Sequence, residues 1–160
     1  MTGPIICGVD DSSAARGAIR VARSLGTELG LSLLFVHVMD VRAPETEAAA
    51  VAARLERLSA GLSEAGCRAS WCIEAGHPAD GLVAAATRAG ASLIVVGSSG
   101  PRSSLLGSVS AEVSRRAASP VVVVPPGAEA GLRGRRNGDV RIAGDGRGEF
   151  GGWIARSTAG

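Results

Sequence analysis

The sequence predicts an α/β fold, in which one open sheet of five parallel strands carries helices on both faces. Three observations predict this fold. Five short apolar runs within residues 1–126 lack polar alternation, which is typical of strands buried on both faces. Segments whose apolar residues repeat at helical spacing stand between these runs. Regular alternation of strands and helices favours a parallel sheet joined by right-handed crossovers.

The five strands are recognised by their apolar side chains and by the residues that bound them. Two acidic residues follow the first run, and the fifth run lies between two prolines, the second of which limits ladder pairing. The third run is the weakest, because it contains fewer large apolar residues. The predicted strands are Pro4–Val9, Leu31–Val38, Ala69–Glu74, Ser92–Val96 and Pro120–Pro125.

Four helices separate the strands. The second is the clearest, because Val51, Leu55, Leu58 and Leu62 form one apolar stripe and Gly66 ends it. The first and third helices also end at glycines, which readily adopt the left-handed conformation that closes a helix. The predicted helices run from Ala14 to Gly26 or Gly30, over Glu45–Glu64, from the Gly76–Asp80 turn to Gly90, and over Ser108–Ala118.

Residues 1–126 are predicted to form one folded domain, and residues 127–160 a flexible tail rich in Gly and Arg. The tail holds ten Gly and six Arg but few large apolar residues. Their burial is too small to offset the entropy of ordering the segment. Val140–Ile142 is a candidate short strand, and Trp153 with Ile154 forms an apolar spot that could dock on a partner.

Composition excludes several classes of function. All 17 basic residues are Arg and none is Lys, which excludes a phosphate-loop NTPase, a Schiff-base enzyme and a lysine-dependent kinase. The net charge of +2 and the scarcity of aromatic residues argue against nucleic acid as a partner. Three cysteines without a CxxC pair predict neither a metal site nor a disulfide framework.

The sequence offers no targeting or membrane signal. Its first residues lack a basic leader, and no apolar run approaches the length of about 18 residues that a membrane span requires. We therefore expect a cytoplasmic protein without membrane contact.

Three polar segments follow predicted strands and should meet at one edge of the sheet. They are Asp10–Ser12, Val38–Asp40 and Gly97–Gly100. In open parallel α/β sheets, ligands bind outside the carboxyl ends of the strands. Gly107 and Ser108 open the fourth helix, whose N-terminal amides and dipole favour a phosphate group. The sequence thus predicts a phosphate site at this edge.

Six short pieces of the sequence lie in a fixed order at strands and strand ends. They are Ile5–Ser12, Leu34–Val38, Gly76–Pro78, Leu93–Gly100, Leu105–Ser110 and Ser119–Val124. Each piece is weak alone, but together they resemble the universal stress protein family over about residues 3–126. The resemblance implies a Rossmann-like sheet of the adenine nucleotide α-hydrolase kind, with strand order 3-2-1-4-5.

In ATP-binding members of this family, the loop after the fourth strand reads Gly, two residues, Gly, nine residues, Gly, and then Ser or Thr. Gly97, Gly100, Gly107 and Ser108 fit this frame, but only six residues separate Gly100 from Gly107, so three are missing. Arg102 lies in the shortened segment and would supply charge to the phosphates.

The resemblance implies that the ligand is ATP or another adenine nucleotide, with or without Mg²⁺. By resemblance, Asp10 would hydrogen-bond the ribose and the main chain at Val38 would meet the adenine. The implied nucleotide-binding residues are Gly8, Asp10, Val38, Gly97, Gly100, Arg102, Gly107, Ser108, Val109 and Ser110. No catalytic residue and no metal-binding residue is predicted.

The function implied by the resemblance is that of a regulatory protein in the stress response, with little or no catalysis. The loop contains no evident general base, and the chain has no lysine to stabilise a leaving phosphate. Family members commonly pair through the last strand, which implies a homodimer through Val121, Val122, Val123 and Val124. An exposed apolar edge strand would in any case need another strand or segment to pair with it. We also expect other protein partners, but the sequence does not identify them.

Two other functions stay open. One is an enzyme of the nucleotide α-hydrolase kind, although adenylating relatives carry Ser-Gly-Gly-x-Asp-Ser after the first strand and this chain has Gly-Val-Asp-Asp-Ser at 8–12. The other is a family member without nucleotide that acts as a protein-interaction dimer. The shortened loop is the main support for this second alternative.

Several candidate residues also have structural interpretations. Asp10 could cap the first helix, since Asp is a favoured N-cap residue. His37 lies within an apolar strand and is expected to be a core residue, while His77 lies between Gly and Pro and is expected to shape a loop near the ligand rim. Cys7 lies on the predicted central strand and is expected to be an inert buried thiol.

Overall fold

The computed structural model describes residues 2–98, 107–126 and 128, together with the backbone of 141–143 and 153–155. The strands are β1 (Ile5–Gly8), β2 (Leu33–Met39), β3 (Ala69–Ala75), β4 (Leu93–Gly97), β5 (Val121–Val124), β6 (Arg141–Ala143) and β7 (Trp153–Ala155). The helices are α1 (Ser13–Leu29), α2 (Glu45–Glu64), α3 (Pro78–Ala89) and α4 (Ser108–Arg116). Within this described part of the chain, no helix is long and apolar enough to cross a membrane.

Strands β1 to β5 confirm the predicted parallel sheet. They lie in the order β3-β2-β1-β4-β5, as expected, and each neighbouring pair is parallel. In the central strand β1, Ile5 pairs with Leu33 of β2 on one side and with Leu93 of β4 on the other. The strand order therefore reverses at β1, and a crevice opens at the carboxyl ends of β1 and β4.

Alternate residues of the central strands face two separate cores. Ile5 and Cys7 pack in the core that includes α1 and α2, whereas Ile6 packs in the core that includes α3 and α4. Phe35 of β2 and Leu55 of α2 are fully buried in the first core. Because helices cover both faces, the strands are apolar on both sides, as their sequences predict.

The helix ends follow from the residues that the sequence places there. The Ser12 hydroxyl oxygen accepts a hydrogen bond from the Ala15 amide at 3.1 Å and caps α1. Gly30 and Gly90 end α1 and α3 in the left-handed conformation, with φ of 65° and 57°. Helix α4 ends earlier than predicted, because Ala117 takes an extended backbone conformation.

Two strands come from the segment that the sequence predicts to be flexible. Strand β7 pairs antiparallel with β5, and β6 pairs parallel with β7. Strand β6 overlaps the candidate strand at 140–142, whereas the pairing of β7 with β5 is not predicted from the sequence. The edge of β5 offers backbone donors and acceptors that another segment can pair with, whatever its side chains. The homodimer through β5 stays a prediction.

Candidate functional site

A cavity of about 190 Å³ opens at the carboxyl edge of the sheet. It lies among the ends of β1, β2 and β4 and the first turns of α3 and α4, where the strand order reverses. This is the position at which open α/β sheets bind ligands. Its lining residues are Gly8, Val9, Asp10, Ser12, Ala15, Val36, Val38, Pro78, Leu82, Val96, Gly97, Gly107, Ser108, Val109 and Ser110.

Two glycines of the cavity allow helices to approach the sheet closely. A Cβ on Gly97 would lie 2.6 Å from the carbonyl carbon of Ala14 and 2.7 Å from its oxygen. A Cβ on Gly8 would lie 3.1 Å from the side chain of Leu82 in α3. The glycine at position 97 therefore lets the start of α1 close on the end of β4, and this packing reason adds to the predicted approach of a ligand.

The first turn of α4 presents backbone amides to the cavity. Gly107 is the N-cap residue, and its carbonyl oxygen accepts hydrogen bonds from the Ala111 amide at 2.9 Å and the Ser110 hydroxyl at 3.0 Å. The amides of Ser108, Val109 and Ser110 precede the first intrahelical donor. Since α4 has no acidic residue in its first turn, the positive end of its dipole is not offset there. This arrangement favours an anionic group.

Ser98 joins the start of α4 to the end of β4. Its hydroxyl oxygen accepts a hydrogen bond from the Gly107 amide at 3.3 Å, and its own amide donates to the Val124 carbonyl at 2.8 Å. Ser98 is buried, with 1% of its surface exposed. The N-terminus of α4 is thus held against the sheet although the two residues lie nine positions apart in the chain.

Asp10 lies exposed at the mouth of the cavity. Its Oδ1 accepts a hydrogen bond from the Ser12 amide at 2.9 Å, so Asp10 shapes the turn and Ser12 is the residue that caps α1. The neighbouring Asp11 forms an ion pair with Arg54 of α2, which ties this turn to the helix that shares a core with α1. A carboxylate at the mouth is placed to accept hydrogen bonds from ligand hydroxyl groups.

The structure brings most of the predicted site residues to this one cavity. Those that line it are Gly8, Asp10, Val38, Gly97, Gly107, Ser108, Val109 and Ser110. Gly100 and Arg102, like the shortened segment that contains Arg102, lie outside the described residues. Sequence reasoning did not assign Val36, Pro78 or Leu82 to the site, because apolar residues in strands and helix stripes indicate only a core.

Both histidines occupy structural positions. The Nδ1 of His37 lies 2.8 Å from the Val9 carbonyl oxygen, so a ring N–H donates from β2 to the end of β1. His77 is the N-cap residue of α3, immediately before the cavity residue Pro78. His77 thus has the loop role expected for it, whereas His37 is half-buried and belongs to neither core, so its hydrogen bond rather than core packing accounts for its position.

An ion-pair cluster joins α3 and α4 beside the cavity. Arg116 Nη1 lies 2.6 Å from Asp80 Oδ1 and 2.7 Å from Glu112 Oε1. Hydrogen bonds to Asp80 and then to Glu112 raise the pKa of Arg116. One ligand atom each from His77, Asp80 and Glu112 lies within 4.8 Å of the other two, a spacing suited to a cation. The guanidinium of Arg116 already supplies the positive charge to both carboxylates, so we interpret the cluster as a link between helices.

The cysteines differ in their exposure. Cys7 is fully buried in β1, and burial raises the pKa of its thiol, in agreement with the inert thiol predicted from the sequence. Cys72 is half-buried in the edge strand β3. Burial, followed by the nearby charge of Glu74, raises the pKa of Cys72 as well.

The fold and the cavity define an α/β protein of the class that binds small ligands at the carboxyl edge of a parallel sheet. The family model for the Universal stress protein family matches residues 1–125. The chain therefore belongs to the universal stress protein family, as its sequence pieces indicate.

Solved structures of this family share the fold. A universal stress protein in complex with cAMP is 28% identical, with a TM-score of 0.62, over 79% of this chain and 99% of that one. A family member from Burkholderia pseudomallei is 25% identical, with a TM-score of 0.62, over 77% and 96%. The Archaeoglobus fulgidus protein in complex with dAMP, 24% identical with a TM-score of 0.63 over 76% and 96%, is similar in fold. No curated protein matches the chain.

Proposed function

We propose that this chain is a regulatory protein of the stress response that binds an adenine nucleotide in the carboxyl-edge cavity, with little or no catalysis. The observation that carries the proposal is the meeting of the α4 amides with the ends of β1, β2 and β4 in one cavity. A relative that is 28% identical was solved with cAMP, which supports an adenine nucleotide as the ligand.

The nucleoside would occupy the side of the cavity formed by β1, β2 and α3. Val36, Val38 and Leu82 offer apolar surface for a base, and the main chain at Val38 offers hydrogen-bonding groups to its edge. A Cβ on Gly81 would lie 2.7 Å from the Val38 side chain, so α3 packs tightly against β2 at this wall. Asp10 at the mouth would accept hydrogen bonds from the ribose hydroxyls.

The phosphates would occupy the side formed by α4. The amides of Ser108, Val109 and Ser110 would donate hydrogen bonds to phosphate oxygens, and the helix dipole would add to the attraction. Among the described lining residues, Asp10 is the single carboxylate. Mg²⁺ would therefore be held mainly by the phosphates, which are its usual ligands together with one or two carboxylates.

The described lining supports binding without efficient turnover. Hydrolysis requires a base or a positioned charge near the reacting phosphate. Asp10 is the one ionisable side chain among the described lining residues, and it lies at the mouth, beside β1. We therefore propose that the bound nucleotide acts as a signal whose presence changes the protein's interactions.

The test is isothermal titration of the full chain with ATP, ADP, AMP and cAMP, each with Mg²⁺, in native protein and in Gly107→Val. The backbone at Gly107, with φ −66° and ψ 161°, is one that valine also adopts, so the variant should fold. Because Gly107 lines the cavity at the start of α4, the added side chain should obstruct the phosphate side. We expect at least a tenfold loss of affinity for the nucleotides that the native chain binds.

Gly61→Val is the matched control, because Gly61 is exposed on α2, with open space around its Cβ position and outside the cavity lining. This variant should bind like the native chain. Absence of binding by the folded native chain at millimolar nucleotide would contradict the proposal and leave the nucleotide-free interaction protein as the better hypothesis.

A further inference from the structure

Strand β5 consists of four consecutive valines. It is the last of the five parallel strands and would lie at the edge of the sheet if β7 were not paired with it. Val121, Val123 and Val124 are buried, and Val122 is half-buried. Strand β4 pairs with one side of β5, and β7 pairs with the other. The apolar strand β5 is therefore an interior strand of the seven-stranded sheet, and β6 takes the edge position.

The antiparallel direction of β7 indicates which kind of strand could take its place beside β5. Val122 lies opposite Ile154, and β7 runs antiparallel to β5. Two copies related by a twofold axis can pair through the same strand only in the antiparallel direction. The edge of β5 thus already accepts a strand in the direction that a second β5 would take, and four uncharged valines would place no like charges opposite one another.

The pairing of β7 with β5 is short. Among the described residues it covers three residue pairs, from Val121 with Ala155 to Val123 with Trp153. Residues 125–152 separate the two strands in the sequence, and closing a loop of that length opposes the pairing entropically. A strand held in this way can leave without disturbing the parallel sheet, whose five strands pair independently of it.

We propose that β7 is a releasable cover of the β5 edge, and that a second copy of this chain pairs with β5 when β7 leaves. The closed form is a monomer with β7 on β5. The open form exposes Val121–Val124, an apolar edge of the kind that pairs with another chain. Self-association is thereby controlled by the chain's own C-terminal segment, independently of any nucleotide.

The first experiment tests the cover with cysteine pairs in the full chain. Val122→Cys with Ile154→Cys places cysteines at directly opposite positions, where antiparallel Cα atoms lie within disulfide range. Val122→Cys with Ala155→Cys is the control, because Ala155 is in register with Val121 rather than with Val122. After oxidation, peptide mapping should find at least tenfold more intramolecular disulfide in the first pair. Equal yields, or crosslinks between chains alone, would overturn the cover.

The second experiment measures self-association by sedimentation velocity over a range of concentrations. The disulfide-locked pair should stay monomeric, and its reduced form should associate. Ile154→Pro removes a backbone N–H within β7 and should lower the dimer dissociation constant at least tenfold. Thr158→Pro changes a residue that is not among the described pairs and should match the native chain. Equal association of locked and reduced protein would overturn the proposal, and this comparison stands even where Ile154→Pro does not fold.

Discussion

At the scale of single residues, the cavity depends on positions where a side chain has no room. Gly97 ends β4 directly beneath the backbone of Ala14, so two segments far apart in sequence touch through main-chain atoms. A neighbouring side chain can rotate away from a new methyl group, but a helix backbone cannot. The requirement for glycine at this position is therefore stronger than at Gly8, where the nearest atoms belong to the flexible end of Leu82.

We expect Gly97→Ala to destabilise the protein by about 1–3 kcal/mol, because the methyl group would force β4 and α1 apart. Gly61→Ala is the control, since its Cβ would meet open space in an exposed helix position. That change should stabilise the protein by about 0.4–1 kcal/mol. Urea denaturation followed by circular dichroism measures both free energies of unfolding. A stability of Gly97→Ala equal to that of the native chain would contradict the close contact.

At the scale of elements, α3 and α4 form one wall of the cavity. Both begin at the cavity, at Pro78 and Ser108, and both belong to the core on the same face of the sheet. Ser98 holds the start of α4, while Arg116 holds its end to Asp80 of α3. The placement of the α4 amides therefore depends on a buried hydrogen bond at one end and on an exposed ion pair at the other.

We predict that Arg116→Gln lowers the urea midpoint at low ionic strength, because Asp80 and Glu112 lose their shared cation. The difference from the native chain should disappear at about 1 M NaCl, where the Debye length falls to about 3 Å. Arg115→Gln removes the same charge from the same helix turn and serves as the control. An Arg115→Gln effect as large as that of Arg116→Gln would show that the helix dipole, rather than the ion pairs, is responsible.

At the scale of the whole molecule, burial increases from the β3 edge to the centre of the sheet. Cys7 lies in the central strand with no exposed surface, whereas Cys72 is half-buried in β3, which pairs with β2 alone among the described strands. The thiolate is the reactive form of cysteine, and the pKa of both thiols is raised. Reaction at each site thus reports both access and ionisation.

We expect iodoacetamide to modify Cys72 first in the folded protein, and Cys7 only when the sheet unfolds. Because the pKa of Cys72 is raised, less thiolate is present at pH 8 than in a free cysteine, and its labelling rate should keep rising as the pH increases towards 10. Mass spectrometry of peptides taken at intervals measures each rate, and labelling in urea should remove the difference. Equal native rates for Cys7 and Cys72 would contradict the described burial.

The sequence by itself determined the five strands, the four helices and the carboxyl-edge location of the site. Each of these depends on local patterns: apolar runs, helical spacing, and glycines at the helix ends, as at Gly30 and Gly90. The family resemblance supplied the strand order and the residues now found around the cavity. It could do so because a family motif occupies the same place in the shared fold of each member.

Only the tertiary structure decided which contacts form between segments distant in sequence. The closeness of Gly97 to Ala14, the hydrogen bond of Gly107 with Ser98 and the apolar wall from Leu82 arise when helices close on the sheet. The pairing of β7 with β5 depends on an open strand edge, which is created by folding. Local periodicity holds no information on such contacts, because they depend on which surfaces remain uncovered once the elements have packed.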